Sequence, residues 1–498
     1  MGTVKSLFLV SIVVLIVLLS LLMFDISPLD NELSGEPLIF YCAAGIKAPV
    51  SRISEQYEQE NGQPIQLMYG GSGTLLSSLS VADKGDLYLA ADQTYIDLAR
   101  EKDLIAEVMP VAFITPVILV SRGNPKNIHS IQDLLRDDVN IALANPDAAS
   151  VGRTVKDLLE ESGMWAKLEK KAQVFKPTVN DIANDVKIGS VDAGIVWDSL
   201  LFQYPDLESV SVPELEMGKQ QISIAVLKSS RQPTEAIRFA RYLTARDKGL
   251  LLFREEGYEA VEGDKWVHKP EIVLFSGTVN RPAIDDTLME FKEREDVDLI
   301  VKYNGCGFLV ADMKAGQRPD AYFACDVSFM HQVGDLFEDE THIAETDVVI
   351  LTQKGNPHNI QALEDLTRPE LRVGIANHEQ SALGGLTQNL LKQVGLYDRI
   401  LPNVRSQVPT GDMLVNQIST GSLDAVIVYR VNCVNVQDKL HLVKIDHPAA
   451  LAIQPFAIAR NSDHKHLIER LQNAIESGPS KEKFTNAGFR WRGEPPGS

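Results

Sequence analysis

The chain repeats itself, and that repeat decides how many folds it must build. RGNPKNI begins at Arg122 and KGNPHNI at Lys354, GSVDAGIVW begins at Gly189 and GSLDAVIVY at Gly421, and both pairs are offset by 232 residues. The same offset pairs Ile141–Asn145 (IALAN) with Val373–Asn377 (VGIAN). Nearer the start an offset of 234 pairs Tyr69–Leu75 (YGGSGTL) with Tyr303–Leu309 (YNGCGFL) and Asp86–Asp92 (DLYLAAD) with Asp320–Asp326 (DAYFACD). A register held across so many segments is a tandem duplication with small indels. The junction falls near Asp264 to Pro270, so the expected organisation is a membrane anchor and tether at 1–37 and two domains at 38–268 and 269–498.

Within each half, short apolar runs alternate with amphipathic stretches. In the first, LIFYCAA, PIQLMYG and DLYLAAD read as strands, with helical patterns at VSRISEQYEQE and SGTLLSSLSV between them. This β-α-β-α-β order predicts a mainly parallel sheet with helices on both faces. FITPVILV then restarts the pattern: IALAN, a helix over 152–162, AQVF, a helix over 180–189, AGIVW, ISIAV and a closing helix over 235–244. The fold class is α/β, with two lobes per half, chain ends returning to the first lobe, and a ligand cleft between lobes.

Ser6 to Phe24 is an uncharged apolar run of nineteen residues, long enough at about 1.5 Å per residue to cross most of a bilayer core. Met23, Phe24 and Asp25 at its exit lack the small residues of a cleavage site, so an uncleaved transmembrane helix is favoured over a cleaved signal peptide. Lys5 before the run and Asp25, Asp30 and Glu32 after it place the bulk of the chain on the periplasmic or other extracytoplasmic side.

The net charge of −20 argues against nucleic acid as a partner. Cys42, Cys306, Cys325 and Cys433 form no CxxC pair and no disulfide framework. A 2-1-3-4-5 strand order separates Cys306 from Cys325 by two strand spacings, near 10 Å, so both are expected to be free. No metal site or cofactor is expected; His378 and Glu379 are adjacent but only two. No G-x-S-x-G elbow surrounds a serine, so no catalytic residues are assigned and no enzyme is expected. Lys47 and Arg281 read as solvated, while Asp198 beside Trp197 could repel anions.

Ligands of open α/β sheets lie beyond the strand ends, where helix N-termini present free N–H groups. Ala43–Pro49, Gly70–Leu75 and Asn145–Gly152 are such turns. Gly70, Gly71 and Gly73 let a ligand approach the backbone, and Ser72 adds a hydroxyl. Neutral N–H groups at helix starts suit an oxyanion without any Lys or Arg.

FYCAAGI, YGGSGTL, GDLYLAADQTYIDLA, IALANPDAASVGR and DAGIVW, in that order, resemble the periplasmic molybdate-binding protein family over nearly all of the first half. LFSGTV, YNGCGFL, DAYFACD, VGIANHEQSALGG and DAVIVY resemble it more loosely in the second. The resemblance implies two tandem type II periplasmic-binding-protein domains that capture molybdate or tungstate between lobes and present it to an ABC permease. It also implies the site. The family's first hydroxyl falls on Gly45 and Thr278, its second on Ser72 and Cys306, and its tyrosine on Trp197 and Tyr429. Its backbone donors fall on Val151 and Leu383 and on Val179 and Gly411. The first half thus keeps Ser72 alone, whereas the second keeps Thr278 and Tyr429 from opposite lobes and is expected to hold an oxyanion more strongly. The alternative is a sensory or scaffolding envelope protein whose degenerate clefts bind another small ligand or a partner protein.

Overall fold

The computed structural model describes residues 35–82, 84–436 and 438–492. The expected membrane helix at Ser6–Phe24 lies outside them; among the described residues no helix is long and apolar enough to cross a membrane. The chain divides into two compact units, Met1–Gln232 with Leu252–Glu259, and Pro233–Leu251 with Ala260–Ser498. Helix Pro233–Leu243, which closes the first repeat in sequence, therefore belongs to the second unit, where Arg238 bonds Asp296 at 2.5 Å.

In the first repeat, strands Leu38–Ala43, Ile65–Gly70 and Leu87–Ala90 run parallel with Leu38–Ala43 in the middle. Leu87–Ala90 is buried at every position, so its apolar run packs against helices on both faces. Helix Lys47–Asn61 turns Val50, Ile53 and Tyr57 onto that sheet and stops at Gly62, whose φ of 72° suits glycine. The 2-1-3 order matches expectation, but the sheet is mixed: Gln220–Leu227 runs antiparallel between Leu87–Ala90 and Ile105–Ile114. It is the return path of a chain that has left to build the second lobe, so it arrives from the opposite direction. That second lobe repeats the plan, with Val174–Lys176, Ile141–Ala144 and Ala193–Trp197 parallel and Pro116–Ser121 antiparallel beside them.

The second repeat has the same layout, with Leu38–Ala43 answered by Glu271–Gly277 and Ala193–Trp197 by Ala425–Tyr429. Its crossing between lobes differs. FITPVILV, read as one run, is two strands, Ile105–Ile114 and Pro116–Ser121, because Pro116 has no N–H to continue a ladder. The corresponding Val348 donates its N–H to Ala450 O at 2.8 Å, and a single strand, Thr341–Gln353, runs through both lobes. It pairs with Leu451–Ile458 in the first lobe and with Ala425–Tyr429 and Leu440–Lys444 in the second.

Candidate functional site

In the first repeat the turns at Ala43–Gly45 and Gly70–Ser72 meet Ala149–Ser150, Thr178–Val179 and Trp197 from the facing lobe around a cavity of about 20 Å³. This leaves room for about one water molecule, so a ligand enters only if the lobes part. No ionisable side chain lines it.

Ser72 is buried at the start of helix Ser72–Ala82. Its Oγ accepts the N–H of Ala91 at 3.1 Å, which leaves the hydroxyl proton free to donate into the cleft. From the opposite lobe comes a hydroxyl that the sequence reading missed. Ser150 opens helix Ser150–Glu160, and its Oγ accepts Trp197 Nε1–H at 3.1 Å. The indole therefore orients the Ser150 hydroxyl. Only the fold shows this, since the partners are 47 residues apart. Ala149 provides no side-chain cap, so the first N–H groups of that helix also remain available to an anion.

Gly45, Ser72, Val179 and Trp197 line the cavity, and so does Ser150, the neighbour of Val151. The Gly45 carbonyl accepts Gln203 Nε2–H at 3.0 Å and the Tyr258 hydroxyl at 3.1 Å. A Cβ at Gly45 would stand 2.9 Å from a Val179 methyl, so a side chain here would crowd the facing lobe. Gly71 and Gly73 also serve the contact between the lobes. A Cβ at Gly71 would lie 2.3 Å from Ala148 O, and one at Gly73 the same distance from Asp147 O. The small residues admit the facing lobe's backbone, and Gly73 N–H donates to Ala148 O at 3.1 Å. Tyr95 adds a second bond between lobes, from its hydroxyl to Pro146 O at 3.2 Å.

Asp198 is not among the residues that line the cavity. Its Oδ1 accepts the N–H groups of Thr115 and Ser199 at 3.1 and 2.7 Å, which fixes the lobe crossing. Lys47 lies 5.2 Å over the Tyr69 ring and Arg281 the same distance over Tyr303. Asp92 caps helix Gln93–Glu101, and burial pushes its carboxyl up to about 6.

The second repeat builds the same contacts from other atoms. Gly307 N–H donates to Gln380 O at 3.2 Å, the counterpart of the Gly73 bond. Pairing sets Gly277 opposite Asn304 as it sets Ala43 opposite Gly70, so Thr278 is the partner of Ala44 rather than of Gly45. Leu383 is buried in helix Ala382–Gln393, and Ala382 stands where the first repeat has Ser150. Gly411 opens helix Gly411–Ser419, and a Cβ there would meet Asn432 Oδ1 at 2.4 Å. Tyr429 is buried with no partner for its hydroxyl, and burial holds its phenol well above the ordinary range.

Cys306 and Cys325 are not two strand spacings apart. Cys325 N–H donates to Cys306 Sγ at 3.1 Å, because helix Cys306–Lys314 curls its first residue back over the sheet end. All four cysteines are free and buried. Among the described residues no group of three or more His, Cys, Asp or Glu is placed to hold a metal ion.

A family model for bacterial extracellular solute-binding proteins matches residues 38–259 and again 272–490. The chain belongs to this family. It carries two copies of the binding domain, and the fold is that of a solute-binding protein of the ABC transporter type. A putative binding protein of Haemophilus influenzae is 27% identical over 221 residues, 44% of this chain and 90% of that protein. Molybdate-binding protein ModA of Mycobacterium tuberculosis H37Rv is 28% identical over 223 residues, 44% of this chain and 83% of that protein. Among solved structures, the substrate-binding domain of a putative molybdenum ABC transporter from Clostridium difficile is 23% identical, covering 45% of this chain and 99% of its own, with a TM-score of 0.36. These relatives are named as binding proteins, not enzymes.

Proposed function

We propose that the protein captures a small tetrahedral oxyanion, such as molybdate or tungstate, in the cleft of its first repeat and delivers it to an ABC permease. The domains are the repeats at 38–268 and 269–498, held at the extracytoplasmic face by the N-terminal segment. The observation that carries this reading is the pair Ser72 and Ser150, hydroxyls from opposite lobes at one uncharged cavity. Each serine oxygen already accepts an N–H, so each proton is left for the ligand. Uncapped helix N–H groups supply the rest. Closing the lobes is then what assembles the donor set.

Counting hydroxyls alone favours the second repeat, through Thr278 and Tyr429. Geometry moves the proposal to the first, because there Trp197 restores a donor in Ser150, while Cys325 Sγ stands over Gly277 in the second. A thiol is a weak donor and a thiolate repels an anion. A thermal-shift panel of molybdate, tungstate, sulfate and phosphate on the full chain tests the ligand class. A melting rise with one or more tetrahedral oxyanions is expected; no shift with any of them refutes the reading.

A further inference from the structure

Three neighbouring positions changed together between the repeats. Ala43, Ser72 and Ala91 line the first cleft, and Gly277, Cys306 and Cys325 take their places in the second. The glycine is required by the cysteines. A Cβ at Gly277 would stand 2.1 Å from the Cys325 sulfur and 3.1 Å from the Cys306 sulfur, so both thiols crowd one point. The N–H that binds Ser72 Oγ in the first repeat binds Cys306 Sγ in the second at the same 3.1 Å. Two buried thiols are thus brought together, one at a helix start and one two residues past the end of strand Ala321–Phe323. Cys42 and Cys433 sit apart from this pair, bonded to the carbonyls of Ala43 and Tyr429.

We propose that Cys306 and Cys325 form a reversible intramolecular disulfide, a modification site in the second cleft that is independent of oxyanion binding in the first. The oxidant is a small disulfide of the extracytoplasmic space, or a dithiol oxidase that supplies one. When the lobes part, the Cys306 thiolate attacks one oxidant sulfur. The oxidant S–S bond breaks, one thiolate leaves, and a mixed disulfide remains on Cys306. Cys325 gives its proton to that departing thiolate and attacks the Cys306 sulfur. The protein S–S bond forms, and the second oxidant thiol is released and protonated from solvent. The two cysteines lose two electrons and two protons, and the oxidant becomes two thiols. Cys306 is the attacking sulfur: burial raises its thiol, but the S–H and N–H of Cys325 outweigh burial and hold it below the ordinary value. Its hydrogen bond to Cys306, together with burial, keeps Cys325 protonated well above.

The bond would remove both S–H groups from the cleft and tie the helix start to the sheet end. Exposing the full folded chain to 2-hydroxyethyl disulfide, then alkylating and mapping peptides without reduction, tests this. The expected product is a Cys306–Cys325 linked peptide, with Cys42 and Cys433 alkylated and all four thiols recovered after dithiothreitol. Recovery of Cys306 and Cys325 as alkylated thiols from chain that stays folded by near-ultraviolet dichroism would overturn the proposal. In Cys325→Ser the mixed disulfide should persist on Cys306; an unmodified Cys306 in that variant would overturn its role as the attacking sulfur.

Discussion

The two repeats cross between their lobes in different ways. In the first, the chain passes through Thr115, where Pro116 breaks the strand and Asp198 holds the Thr115 N–H. In the second, an unbroken strand carries Asp347 at the same place, with Arg490 bonded to it at 2.6 and 2.9 Å and to Glu345 at 2.8 Å. A broken strand can absorb the backbone rotation of lobe opening at one residue, whereas a continuous, ion-paired strand must bend as a whole. The clefts differ in the same sense. The first keeps small residues and two hydroxyls around a cavity; the second has a thiol pair over a glycine. Thr115 and Pro116 against Asp347 and Val348 at the crossing, and Ser72, Ser150 and Trp197 against Cys306, Ala382 and Tyr429 at the cleft, are among the differences between the repeats.

The largest way to disturb this contrast is to exchange the crossings. Val348→Pro removes the N–H bonded to Ala450 O within a central strand and should destabilise the second unit by about 3 kcal/mol or more. Pro116→Val should leave the first within about 1 kcal/mol. Urea denaturation of the full chain measures both, and equal effects would remove the distinction between the crossings.

Next come the donors. Ser150→Ala should weaken oxyanion binding by roughly 1.5 to 3 kcal/mol, the cost of one hydrogen bond to a charged ligand. Trp197→Phe leaves Ser150 unoriented and should cost a smaller part of that, about 1 kcal/mol, while Tyr429→Phe should change nothing measurable. Comparing dissociation constants for the three variants checks the assignment.

Gly73→Ala places a methyl against Asp147 O and should cost roughly 1 to 2 kcal/mol of lobe closure, read as weaker binding with little change in unfolding. Gly307→Ala meets Glu379 O at 2.0 Å in the second repeat and should leave oxyanion affinity unchanged. A fall in affinity for Gly307→Ala would make the second cleft the binding one.

The smallest effect is in pH. The Asp92 carboxyl holds its proton up to about 6 in the folded chain but releases it near 3.9 when unfolded. The folded state therefore binds that proton more tightly, and stability is lost as pH rises between those values. Asp92→Asn keeps the helix cap and should raise the first unit's stability on the order of 1 kcal/mol at pH 7, with the gap closing at pH 4. Melting curves at the two pH values check the sign.

Much of the fold was legible because duplication gave each element a second sighting, and the glycine turns marked where strands end. The strand break at Pro116 was readable too, from a proline inside an apolar run. The antiparallel return of Gln220–Leu227 was not, since an apolar octet does not state its direction. Placing the junction near Asp264 to Pro270 also follows the repeat rather than the packing of helix Pro233–Leu243, whose Arg238 reaches Asp296. At the site, the turns were found, but the role of each residue depended on neighbours distant in sequence. Ser150 is oriented by Trp197, and Cys306 meets a second cysteine because helix geometry shortens the distance that strand spacing alone implies.

On the proposed function, the first repeat holds the oxyanion through hydroxyls from both lobes. Titration calorimetry of the full chain with molybdate addresses it most directly, comparing wild type with the Ser72→Ala, Ser150→Ala double variant and the Thr278→Ala, Tyr429→Phe double variant. One site per chain is expected, lost in the first variant and retained in the second. Binding that survives loss of Ser72 and Ser150 but disappears with Thr278 and Tyr429 would contradict it and assign the site to the second repeat.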